Sequence, residues 1–176
     1  MSGTERLAYH DAMQAISQTI LCAAITGATD GVLDDCVGLL HTTARSCGGR
    51  PLRSVADRIL AQFATPDAAA GAAAKMQAAI GALPPLAGAK LDVRIAFHSG
   101  PVTARRSDPT VKQVLRLVAR AKAGQVLTTQ RTAGLLSTSF RAFSRRLRAA
   151  PVARSGAKAG IYEVISRQGA EAAKPD

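Results

Sequence analysis

The chain has 176 residues, 47% of them apolar, and carries a formal charge of +11 from 23 Lys and Arg against 12 Asp and Glu. That length suits one domain with its own core, and no apolar run reaches the ~20 residues that a membrane-crossing helix needs. Cys22, Cys36 and Cys47 form no CxxC and no zinc-ligand spacing with His10, His41 or His98, so they read as small buried hydrophobes of a reducing compartment.

The first 16 residues are polar and mildly helical; Arg6 and His10 precede further polar residues, which is not a signal-peptide pattern. A cytoplasmic protein with no membrane contact is therefore expected. Residues 19–25, Thr-Ile-Leu-Cys-Ala-Ala-Ile, read as a buried strand. Gly27 to Asp30 is a turn, and Thr29 or Asp30 can cap a helix in which Val32, Leu33, Cys36, Val37, Leu40, Ala44 and Cys47 recur at helical spacing. Gly48-Gly49 stops it. Residues 50–64 read as two short strands with Ala56-Asp57-Arg58 at the bend.

Thr65-Pro66-Asp67 opens an alanine-rich helix, with Pro66 where a missing N–H is harmless, and Pro84-Pro85 ends it. Leu91 to Phe97 alternates as a strand, with Gly100 to Ala104 as its hairpin partner. Pro109 or Thr110 opens a helix through Lys122, striped by Val111, Val114, Leu115 and Val118. Gln125 to Thr128 is a short strand, and Thr129 caps a small helix holding Leu135 and Leu136. Residues 140–154 and 160–165 read as the last strands, and the tail from 167 is polar and expected to be disordered. Phe63, Phe97 and Phe140 are assigned to the core.

The order β-α-β-β-α-β with further α and β pieces defines an α+β, ferredoxin-like core: an antiparallel sheet covered on one face by helices, with C-terminal additions. The domain is placed at 17–166, between an extension at 1–16 and a tail at 167–176. The positive charge is concentrated in the second half, in one group from Arg105 to Lys122 and another from Arg141 to Lys158. Such a surface attracts polyanions, nucleic acid included. Only Phe140 and Phe143 lie near it, so the interleaved aromatics that stack bases are largely missing.

Four segments then resemble one family. Residues 22–29, CAAITGAT, resemble a Phe-Ala-Asp-Ile-x-Gly-Ser/Thr-Thr motif; 48–63, GGRPLRSVADRILAQF, resemble a GGxxxKxxGDGxxAxF hairpin; 94–102, RIAFHSGPV, resemble RIGIHTGxV; and 111–129 resemble VNxAARLxxxAxPGxIxxS. Tyr162-Glu163-Val164 matches the closing strand. In this order and spacing they resemble the class III adenylate/guanylate cyclase catalytic domain over roughly residues 19–165. The resemblance implies that fold and a site shared across a head-to-tail dimer, a homodimer or a heterodimer with another cyclase domain. It also implies a nucleoside triphosphate ligand, with Mg²⁺ or Mn²⁺ held by two aspartates.

The chain departs from that pattern where the chemistry sits. The first metal aspartate falls at Ala24 and the second at Asp57, inside Ala56-Asp57-Arg58 rather than Gly-Asp-Gly. The purine-reading Lys falls at Arg53, the base-reading Asp near Arg105, the ribose-orienting Asn at Lys112 and the transition-state Arg at Arg116. One carboxylate does not organise two metals, and the loss of one transition-state electrostatic group removes about 3 kcal/mol. The resemblance therefore implies an inactive cyclase-like domain that acts as a regulatory, nucleotide-binding or dimerisation module. No metal is expected unless the chain is active, and Arg53, Arg58, Lys112 and Arg116 would give a basic cleft. A divergent active cyclase retaining Asp57 and Arg116, with Asp30 or Asp34 replacing the lost ligand, and a basic polyanion-binding protein are the alternatives. His98 is read as structural.

Overall fold

A computed structural model describes residues 17–55, 57–85, 90–102, 108–147 and 160–165. The extension at 1–16, the tail and Arg105 lie outside the described residues. Seven strands are present among the described residues: β1 (Ser17–Thr26), β2 (Arg50–Val55), β3 (Arg58–Phe63), β4 (Asp92–Pro101), β5 (Val126–Thr129), β6 (Ser144–Leu147) and β7 (Ile161–Val164). The helices are α1 (Asp30–Ser46), α2 (Pro66–Gly81), α3 (Pro109–Arg120), α4 (Gln130–Ala133) and α5 (Thr138–Arg141).

The strands form one sheet in the order β2-β3-β1-β4-β5-β7-β6. Its first four strands carry the ferredoxin-like order. Every neighbouring pair is antiparallel except β4–β5. That one parallel pair changes the layering expected from sequence. Parallel neighbours need a crossover, and α3 provides it on the face opposite α1 and α2, so helices cover both faces rather than one.

Period-two alternation along β1 feeds two cores. Leu21, Ala23 and Ile25 face α1 and α2, where Cys36, Leu40, Met76 and Ile80 close over them with Phe63 and Phe97. Ile20, Cys22 and Ala24 face the other way, toward Val114, Leu117 and Val118 of α3. Phe140 packs against the first core while only partly buried. All three cysteines are free, Cys22 and Cys36 buried and Cys47 partly so.

Local chemistry sets the helix ends. The Thr65 hydroxyl accepts a hydrogen bond from the Ala68 N–H at 3.1 Å ahead of Pro66. Thr29 occupies the N-cap of α1, but its side chain makes no capping bond. Gly48, at φ +78°, turns the chain out of α1, and the Gly49 N–H bonds the Ala44 carbonyl at 2.8 Å. Thr129 caps α4 as expected, but Leu135 and Leu136 lie just past that helix. Two expectations need correction. Gly100 does not begin a hairpin partner; β4 runs straight through it, paired with Gln18 of β1. Phe140 does not open a strand, because α5 occupies 138–141 and β6 starts at Ser144.

The two glycines of α1 and its exit have opposite consequences. A Cβ at Gly49 would lie 2.5 Å from Phe63 Cζ and 2.8 Å from the Ala44 oxygen, whereas a Cβ at Gly38 meets nothing within 4 Å. Gly49→Ala should destabilise the protein by about 1–3 kcal/mol, and Gly38→Ala should stabilise it by about 0.5–1 kcal/mol. Urea denaturation of both variants checks the pair of signs.

Candidate functional site

The pairing register of the three central strands builds the site. On β1, Ala24 lies opposite Arg58 of β3 on one side and Arg94 of β4 on the other. Directly opposed residues in antiparallel strands share a face, so Arg58, Ala24 and Arg94 form one row on the α3 side of the sheet. Two strand spacings put the arginine backbones roughly 10 Å apart. Ala24 itself is fully buried.

Asp57 sits in the β2–β3 turn. Its carbonyl accepts the Ile25 N–H at 2.9 Å, which ties the turn to the end of β1. Its carboxylate accepts a hydrogen bond from Arg58 Nε at 3.3 Å, with both side chains more than a third exposed. An exposed pair of this kind contributes well under about 1 kcal/mol. Arg94 is different: its Nε is buried and has no hydrogen-bond partner among the described residues. One register step inward lies Cys22. Burial pushes its thiol up to about 12, with Asp57 adding to the rise and Arg58 and Arg94 opposing it, so all three charges act on this patch.

The donor set does not suit a pair of divalent ions. Ala24 offers only a methyl group, and the Asp57 carboxylate is already engaged by the Arg58 guanidinium. Among the described residues no three His, Cys, Asp or Glu side chains converge. Asp30 and Asp34 belong to α1, the helix that packs on the other face of the sheet.

Lys112 and Arg116 are brought together with a third cation, Arg120, on the exposed side of α3. They recur every fourth residue, so they form one stripe along the helix, and none pairs with a carboxylate among the described residues. The opposite side of α3 is buried through Thr110, Val114, Leu117 and Val118. Buried Asp108 caps the helix, accepting from the Thr110 N–H at 2.8 Å and the Val111 N–H at 3.4 Å. Arg53 pairs with Leu60 in the β2–β3 ladder, just past a register irregularity that begins at Pro51.

Sequence reading singled out Ala24, Asp57 and Arg58; Arg94 stood there only as the first residue of the segment 94–102, with no role assigned to it. His98, read as structural, is held by Thr129 Oγ1 at 2.8 Å and Thr132 Oγ1 at 3.1 Å from Nδ1.

No protein-family model matches the sequence, and no curated protein matches it either. Solved structures do match. The catalytic core of a rhodopsin-guanylyl cyclase with converted specificity, in complex with ATPαS, superposes with a TM-score of 0.74 at 20% identity, over 85% of this chain and 96% of that one. The guanylate cyclase domain of RhGC from Catenaria anguillulae, in complex with GTP, gives 0.73 at 19% identity, over 87% and 98%. The non-canonical dimeric guanylyl cyclase domain of the RhoGC fusion protein from Blastocladiella emersonii gives 0.68 at 20% identity, over 85% and 96%. The chain therefore has the class III nucleotide cyclase fold.

Burial lowers the proton affinity of His98, and Arg131 lowers it further; burial does the same at His41, helped by Arg45. The unfolded chain, with histidines at their usual 6.5, takes up these protons first. Stability from this source is complete above pH ~6.5 and is lost as pH falls toward the lower folded values. Denaturant midpoints should drop between about pH 7.5 and 5.5, and His98→Asn should flatten that slope.

Proposed function

We propose that this domain holds a nucleoside triphosphate, or another polyphosphate, without cyclising it, and serves as a regulatory or dimerisation module in nucleotide signalling. What supports this reading is the row in which Arg58 stands next to Ala24, where the resemblance implies a glycine and a metal-binding aspartate, with Arg94, an arginine the resembling motif also has, on the other side of Ala24. Cations in that row attract phosphate oxygens directly, and Arg94 has a buried N–H group without a partner among the described residues. Asp57 shields only part of that charge, because its ion pair with Arg58 is solvent-exposed.

The stripe of Lys112, Arg116 and Arg120 belongs to the same reading. In a head-to-tail dimer, a homodimer or a pairing with another cyclase domain, α3 of one subunit would bring these cations to the partner's bound phosphates. No helix among the described residues is long and apolar enough to cross a membrane, and the working location is the cytoplasm. A divergent active cyclase is the second reading, favoured by the retained Asp57 and Arg116.

Purified protein incubated with ATP or GTP and Mg²⁺ or Mn²⁺ should yield no cyclic nucleotide by mass spectrometry. Product that appears and disappears in Asp57→Ala would establish the active reading instead. The combined substitutions Ala24→Asp, Arg58→Gly and Lys112→Asn should restore measurable turnover if only the site was lost. A folded triple variant that stays silent with every nucleoside triphosphate contradicts that explanation of the inactivity.

A further inference from the structure

On the face of the sheet away from Ala24 lies a cavity of about 450 Å³, in the range of roughly 300–1,000 Å³ typical of small-molecule sites. Its walls are apolar: Ala70, Gly71 and Ala74 of α2 on one side, and Val126, Phe140 and Val164 on the other. Gly71 helps to keep it open, since a Cβ there would meet only Phe140 Cζ, at 3.9 Å. Lys75 also lines it, is exposed, and pairs with no carboxylate among the described residues. Gln77 is already committed, donating to the Gly124 carbonyl at 2.6 Å.

We infer that this cavity is a binding site for a single-chain amphipathic anion, a medium-chain carboxylate, with its hydrocarbon body between α2 and β7 and its head group paired with Lys75. An apolar cavity with one unpaired cation matches such a ligand in both parts, and the net charge of +11 favours an anion over a neutral lipid. The polar tail at 166–176 follows Ile165 of the cavity wall, but it contains no Val, Leu, Ile, Met or aromatic residue to fill the space. The site is independent of the Arg58–Ala24–Arg94 row, because Val126 and Val164 belong to the opposite core.

Calorimetric titration of the full chain with octanoate, decanoate and dodecanoate tests this. Binding should be saturable, one per chain, and tighten about fifteenfold for each two methylenes added. Lys75→Gln should weaken octanoate binding about tenfold and leave octanol unchanged. Gly71→Leu, which fills the cavity, should abolish binding of all of them; if that variant does not fold, Ala74→Met carries the same expectation. Absence of saturable dodecanoate binding would overturn the inference and mean that the cavity is filled from within the chain. Indifference to chain length, or to the filling substitutions, would overturn it equally.

Discussion

The backbone register between β3, β1 and β4 is the constraint on which the site depends. Six paired positions join β1 to β3, and ten join it to β4. A slip of one residue in either ladder would send every β1 side chain to the wrong core. Leu21, Ala23 and Ile25 on one face and Ile20, Cys22 and Ala24 on the other leave no room for such a slip. Because that alternation is fixed by burial, the position of Ala24 between Arg58 and Arg94 is fixed with it. The hydrophobic pattern of the central strand thereby dictates the electrostatics at its end.

On the proposed reading, those electrostatics favour anions over cations. Arg58 and Arg94 stand on either side of a buried methyl, and the Asp57 carboxylate spends itself on an exposed ion pair with Arg58 of small value. A phosphate would meet two donors already held on rigid strands.

Much of this was legible in the sequence, for physical reasons that differ from element to element. The long central strand announced itself as an uninterrupted apolar run, and Thr65-Pro66 and Gly48-Gly49 marked helix ends through chemistry that acts within four residues. The β2–β3 bend at Asp57 followed from the two short runs on either side. What local pattern could not supply was pairing. Gly100 reads as turn material, yet it continues β4 because Gln18 pairs with it; a Cβ there would approach Thr110 Oγ1 to 2.6 Å. The parallel β4–β5 pair, which moves α3 to the second face, is likewise a long-range fact. Arg94, quoted in the segment 94–102 without a role, gained one the same way, from standing opposite Ala24 on a neighbouring strand.

The direct test is the metal dependence of polyphosphate binding. Affinity for pyrophosphate, measured by calorimetry in EDTA and again with Mg²⁺, should be essentially equal or weaker with the metal present, and Arg94→Ala should weaken it about tenfold. Binding that requires Mg²⁺, and survives Arg94→Ala unchanged, would contradict the account and return the site to metal-based chemistry.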